Sequence, residues 1–220
     1  PEIWSLLKKE SGEQAKRALE LTNLNAGPYD IFLGNKRFAG PGDDYKYPGA
    51  GFYPEGTGKE EIEEFLDGRP GARKEILAID TVVERGEEGF AAVNFADKYR
   101  ALVDRMCQEL DSAAELCSHQ ELKRFLSLRS EALKFGKPLY DSDIVWIGLK
   151  DNPYDVCIGP IETYTDELYG AKASYQGMVL VKDPEESERL QMYRQHLTEL
   201  EKSLPMPEEY LKKEASEGNV

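Results

Sequence analysis

From Phe95 to Cys117 apolar residues recur at the period of a helix. Phe95, Tyr99, Leu102, Val103, Met106, Leu110, Ala114 and Cys117 fall on one face, and such a stripe is stable only when buried against another element. The partner follows at once. Gln120 to about Phe135 carries Leu122, Phe125, Leu126, Arg129, Ala132 and Leu133 at helical spacing, and the short link predicts an antiparallel pair. A chain of 220 residues, 40% of them hydrophobic, is long enough to close a sizeable core around that pair.

The first 22 residues carry Ile3, Leu6, Leu7, Ala15, Ala18 and Leu19 near helical spacing with Gly12 as a weak point, which predicts one broken helix or two short ones. From Asn25 to Gly58 Gly, Pro and aromatics take over, densest in AGPGDDYKYPGAGFYPEGTG. Turn chemistry dominates there. Tyr45, Tyr47, Phe52 and Tyr53 nevertheless argue for an ordered wrapping segment, because a solvated linker gains nothing from aromatics. Thr57 and Glu60 have the spacing of a capping box ahead of a short acidic helix that ends near Gly68. ILAIDTVVERGEEGFAAVNF reads as a β-hairpin. DSDIVWIGL starts with helix-capping residues but is β-branched, so its type stays open, whereas DVCIG and GMVLVKD are strand-like. Asp183 before Pro184 starts a last helix whose stripe of Leu190, Tyr193, Leu197, Leu200 and Leu204 is expected to be buried. Pro205 and Pro207 end it, and residues 205–220 are expected to fray. The expected fold is a single α+β domain over residues 1–220, rich in helix, with a small β component made of the hairpin and of the strands flanking Cys157–Asp183.

Several classes of chemistry are disfavoured by simple counting. The 42 acidic and 28 basic residues give a net charge of −14, which repels nucleic acid and anionic membranes. No window approaches the 18 or so apolar residues of a membrane span. The N-terminal PEIWSLLKKES has neither the apolar core nor the cleavage site of an export signal, so a cytoplasmic location is expected. Cys107, Cys117 and Cys157 are odd in number and widely spaced, which suits reduced thiols, with Cys107 and Cys117 in the core. The two histidines, His119 and His196, form no H-E-x-x-H pair, and Cys107, Cys117 and His119 do not match a structural zinc spacing, so no metal site is expected in this chain. His119 is expected at a helix end. The glycines of residues 40–58 lack the spacing of a phosphate-cradling loop, and two histidines leave little material for a Ser/His triad.

Carboxylates abound, so a single pair says little. The exception is CIGPIETYTDELYGAKASYQGMVLVKD, residues 157–183, which sets Glu162, Tyr164, Asp166 and Glu167 between two strand-like runs beside Gly159, Pro160, Gly170 and Gly177. Polar groups at the ends of strands are a common way to build a binding site. A charged turn between two strands explains the same residues, and a carboxylate hydrolase using Glu162 with Glu167 would need the two groups about 5 to 9.5 Å apart.

The same stretch resembles the substrate-cleft segment of the dipeptidyl-peptidase III family of zinc metallopeptidases, bacterial branch. IGPIETY and YGAKASYQGMVLVKD carry the likeness, with GFYPEGTGKEEIEEFL, YDSDIVWIGLKDNPYDVCIGP and LEKSLPMPEEY in support, so that it covers most of the chain after Gly51. The resemblance implies an exopeptidase that releases dipeptides from peptide amino termini. It implies Glu162 as the acceptor of the peptide's free ammonium and Tyr164 as a catalytic phenol aimed at the scissile carbonyl. Gln176 and Ser174 would be further substrate-binding residues, standing where family members carry acids. It also implies zinc in the complete enzyme, held through H-E-x-x-G-H and a second glutamate-bearing helix that this sequence does not contain. On that basis the chain is expected to be the substrate-binding wall of a longer enzyme, inactive without the catalytic half of the same polypeptide. The alternative is a non-enzymatic peptide-binding or scaffold domain.

Overall fold

The computed structural model of the chain describes residues 7–9, 12–25 and 27–210. Among these the architecture is α+β, helix-rich, with three separate two-stranded antiparallel sheets. α1 (Glu13–Leu24) follows Gly12, whose φ of 118° stops any helix from continuing through it. β1 (Tyr29–Asp30) pairs with β2 (Lys36–Arg37), and the rest of the Gly/Pro/aromatic stretch runs in turns that bury Phe52 and Tyr53.

α2 (Lys59–Leu66) starts on Gly58, and no side chain caps it. The capping box expected from Thr57 and Glu60 does not form. Thr57 is buried, and its hydroxyl instead accepts from Arg85 Nη2 at 3.2 Å, while the same guanidinium pairs with Glu61 at 2.7 Å. A charged donor displaces a backbone amide because its bond is the stronger. α3 (Pro70–Ile76) takes up Ile76, the first apolar residue assigned above to the hairpin, which itself runs as β3 (Thr81–Gly86) and β4 (Gly89–Asn94), in register from Thr81 opposite Asn94 to Gly86 opposite Gly89.

The long predicted helix is broken in two: α4 (Phe95–Lys98) and α5 (Arg100–Leu116), with Tyr99 at the joint. Leu102 falls off the stripe and is 63% exposed. The break has a packing cause. Tyr99 leans on two hydrophobic clusters at once, one built on Phe52, Ile62, Ile76, Val82 and Phe95, the other on Val103, Cys107, Leu110, Phe125 and Leu126. A straight helix would serve only one of them. Cys107 lies in the second cluster, and Cys117 packs half-buried on its edge. α6 (Gln120–Lys134) lies antiparallel to α5 and begins at His119, whose Nδ1 accepts from the Leu122 amide at 3.2 Å. DSDIVWIGL is helical, forming α7 (Tyr140–Ile147).

β5 (Tyr154–Glu162) and β6 (Ser174–Val181) make the third sheet and carry the segment singled out above. Arg129 docks that sheet to the helices. Buried on α6, it donates through Nε to Ser142 Oγ on α7 at 2.9 Å and through Nη1 to the Ile158 carbonyl of β5 at 2.8 Å, and it pairs with Asp143.

After Asp183, which caps the amides of Glu185 and Glu186, come α8 (Pro184–Arg194) and α9 (Leu197–Lys202). The buried stripe expected here is not buried. Leu190, Tyr193, Leu197, Leu200 and Leu204 are 42–59% exposed, because the helix breaks around His196 and meets no facing element among the described residues. A short 3-10 turn (Glu208–Tyr210) follows, and of the tail expected to fray residues 211–220 lie outside the described residues. Among the described residues no helix is long and apolar enough to cross a membrane.

Removing the Arg129 side chain strands buried acceptors on two other elements, whereas its partner Asp143 is half in water and can be hydrated. Arg129→Met is therefore expected to cost about 3 kcal/mol and Asp143→Asn under about 1 kcal/mol in urea unfolding. Equal losses would show that the docking contacts to Ser142 and Ile158 add nothing.

Candidate functional site

Antiparallel pairing sets Gly159 opposite Gln176, Pro160 opposite Tyr175 and Glu162 opposite Ser174. The register shifts between Pro160 and Glu162, so Ile161 is an extra residue, a bulge that re-aims the end of the strand. Glu162, Ser174 and Gln176 consequently share one face. Tyr164, two residues past the end of β5, turns back over it so that Gln176 Nε2 donates to its hydroxyl at 3.4 Å. Four residues singled out in the sequence thus stand together. Glu162 and Tyr164 are exposed, and the Glu162 carboxylate has no hydrogen-bond or ion-pair partner among the described residues. A cleft of about 950 Å³, lined by Phe95, Leu133, Trp146, Pro160, Ile161 and Tyr175 among others, lies on the other face of the hairpin, where Pro160 pairs with Tyr175, and none of the four residues lines it.

The loop from Thr163 to Ala173 is folded around one buried carboxylate. Asp166 Oδ1 accepts from the amides of Leu168 and Tyr169 at 3.1 and 3.2 Å, and Oδ2 accepts from Ala171 N at 2.9 Å, Lys172 N at 3.0 Å and the Tyr53 hydroxyl at 3.1 Å. Tyr53 reaches it from the Gly/Pro/aromatic stretch, and Gly49 makes room for it. With a φ of 78°, a Cβ on Gly49 would stand 2.7 Å from the Tyr53 ring and 3.3 Å from Leu168. Burial, then the neighbouring Asp166 charge, push the Tyr53 phenol far above its ordinary value.

Lys172, fully buried, ends the loop. Its Nζ donates to the Ala78 carbonyl at 3.1 Å and to Thr81 Oγ1 at 2.7 Å, and lies 5.5 Å from the centre of the Tyr53 ring. Burial draws its pKa down from 10.5 to about 8, against the opposing pull of Asp166 and Asp80. Neither Lys172 nor Tyr53 was singled out for the site from the sequence. The available signal was a lysine two residues before a strand and an aspartate four residues ahead of Gly170 in a long connection.

The described residues do not fit a zinc ion. Among the described residues no three His, Cys, Asp or Glu side chains converge. His119 uses Nδ1 as a cap and holds Nε2 3.1 Å from the Lys150 carbonyl, and His196 lies beside Glu199. Glu167, the possible carboxylate partner of Glu162, is bound by Asn35 Nδ2 at 2.6 Å.

The sequence model of peptidase family M49 matches residues 79–218. The chain belongs to that family. Its fold matches dipeptidyl-peptidase III from Caldithrix abyssi with a TM-score of 0.85 and 32% identity, covering 96% of this chain and 40% of that one. Dipeptidyl-peptidase III from Corallococcus sp. strain EGB gives a TM-score of 0.79 and 30% identity, covering 97% of this chain and 40% of that one. An Arabidopsis thaliana protein, nudix hydrolase 3, is 28% identical over 197 residues, 80% of this chain and 25% of the plant protein. The M49 chain thus spans well under half the length of these relatives. M49 proteins are zinc peptidases that act on peptides, and the ligand set for that zinc is not found among the residues described here.

Lys172 gives the site's foundation a pH signature. Between its folded value of about 8 and its unfolded value of 10.5 the unfolded chain holds a proton that the folded chain has released, so this residue makes stability rise with pH across that window. The thiols of buried Cys107 and half-buried Cys157, both pushed up by desolvation, act oppositely. The difference in unfolding free energy between wild type and Lys172→Met is therefore the measurement: it is expected to shift in favour of wild type from about pH 8 to pH 10, and a pH-independent difference would place the titration elsewhere.

Proposed function

We propose that this M49 chain forms the substrate-binding wall of a zinc exopeptidase that removes dipeptides from peptide amino termini. The observation that carries the reading is the convergence of Glu162, Tyr164, Ser174 and Gln176 on one face of β5–β6. Glu162 presents an exposed carboxylate to the free ammonium of a peptide, a charge-assisted contact that measures the substrate from its end. Tyr164 accepts from Gln176 and so keeps its own proton for an oxygen that gains charge at the scissile carbonyl. Ser174, opposite Glu162, lies where it lines the path of the peptide backbone. Zinc and the groups that activate water belong, in this reading, to the catalytic half of the same polypeptide, and the exposed apolar residues of β6, α8 and α9 are the surface that half covers. On its own the chain is inactive.

Hydrolysis of a dipeptidyl-naphthylamide with added zinc, compared between these 220 residues and the longest natural reading frame containing them, tests the reading. Activity is expected only in the longer protein; activity in neither would turn the reading into a non-enzymatic peptide-binding domain. Within the longer protein, Glu162→Ala is expected to raise KM, and Tyr164→Phe to lower kcat by about 10²-fold with little change in KM. Unchanged kinetics in both variants would remove the assignments.

A further inference from the structure

Tyr164 sits on a connection of eleven residues between β5 and β6, from Thr163 to Ala173. A loop of that length has many conformations open to it, and a phenol that must meet a developing charge loses its effect if displaced by about 1 Å. Something must hold it. The side chain itself is exposed, and the hydrogen bond it makes among the described residues is the long one from Gln176, so the hold acts through the backbone on either side. Before Tyr164, the Thr163 carbonyl accepts from the Asp166 amide at 3.0 Å; after it, the Thr165 and Ser174 hydroxyls are hydrogen-bonded. Gly170 N donates to the Asp166 carbonyl at 2.9 Å, and the Asp166 carboxylate gathers four further amides and Tyr53. At the far end the Ala173 amide donates to the Ile79 carbonyl at 2.8 Å. Every one of these ties passes through Asp166 or lies within a residue of a group that it binds, save the Thr165–Ser174 contact.

We infer that Asp166 is the positioning residue for Tyr164, and that Tyr53 carries the Gly/Pro/aromatic segment into the same task. The inference rests on the reading of Tyr164 as the oxyanion donor. A carboxylate is the side chain suited to the place, because only acceptors face the five donors; an amide of the same shape turns its NH2 toward some of them. Asp166 does not reach the substrate face itself. Its effect is on where the Tyr164 hydroxyl points.

The test is a double-mutant cycle in the longest natural reading frame, with Tyr164 also observed directly by incorporated 3-fluorotyrosine and assigned by its loss in Tyr164→Phe. Asp166→Asn is expected to lower kcat by at least about tenfold with a smaller change in KM. Tyr53→Phe, which keeps the ring and removes one donor of five, is expected to lower kcat a few-fold while leaving the thermal unfolding cooperative. Adding Asp166→Asn to Tyr164→Phe is expected to cost nothing further, since the phenol being positioned is gone. The same added loss in the presence and absence of the phenol would make Asp166 a purely structural residue and overturn the inference. If the wild-type protein hydrolyses no peptide, the proposed function falls, and the fluorine signal alone decides this point. A Tyr164 resonance that moves toward the free amino acid position in both Asp166→Asn and Tyr53→Phe sustains the positioning role; one that stays in place in both overturns it.

Discussion

A guanidinium sealed inside a protein is tolerable only when its fork of donors is met by acceptors, and Arg129, itself on α6, finds those acceptors on two other elements, α7 and β5. That requirement fixes α6, α7 and β5 relative to one another. It also explains the backbone next to it. Gly159, with a φ of 134°, follows the carbonyl that Arg129 binds, and a Cβ there would stand 3.2 Å from Leu139 and 3.6 Å from the guanidinium. The strand must run close under the helices before it reaches Glu162. The place of the candidate site in the fold is therefore inherited from a buried cation rather than from the pairing of the two strands.

Strand pairing alone would be a poor foundation, since a hairpin of two strands is marginal in water. The β5–β6 hairpin is held by β5 along its length, with Val156 buried against the helices and Asp155 accepting from Trp146 Nε1 at 2.7 Å, while β6 is held only near the loop. At the loop end Arg129 holds β5, and the Asp166 and Lys172 networks hold the loop and the start of β6 against Tyr53, Ala78 and Thr81. At the other end Met178, Val179, Leu180 and Val181 are exposed on successive positions, so both faces of β6 are open there. Fixed residues cluster around Glu162 and Tyr164, and apolar surface lies away from them, which is the arrangement that a cleft wall with a covering partner would have.

How far the sequence foretold this depends on whether burial partners lie nearby in the chain. The α5–α6 pair was legible because each helix is the other's nearest neighbour, and β3–β4 because a two-residue turn joins its strands. The helix break at Tyr99 was not, because periodicity records which residues are apolar and not that one side chain serves two clusters. The capping box at Thr57 failed for a similar reason: Arg85, far along the chain, takes the hydroxyl. The stripe of α8 and α9 was read correctly as apolar and wrongly as buried, since amphipathicity says that a face needs cover without saying what supplies it. At the site, the clustering of Glu162, Ser174 and Gln176 follows from strand register and was accessible. The roles of Tyr53 and Lys172 were not, as both depend on contacts between residues about a hundred positions apart.

Glu162 and Asp166 show why composition could not have separated binding acids from structural ones in so acidic a chain. They are four residues apart, yet one has five donors around a buried carboxylate and the other lies in solvent with none among the described residues. A carboxylate whose lone pairs are already taken has little left to offer a ligand, and freeing it would dismantle the loop around it. An exposed carboxylate keeps its full acceptor capacity, but it binds an ammonium well only when the surroundings hold it in place and exclude water on closure. The first condition is met here by the bulge at Ile161 and the fixed loop beyond Thr163. Glu167 is already engaged by Asn35 at 2.6 Å, so of the exposed acids on this connection Glu162 is the one whose carboxylate stays unpartnered among the described residues.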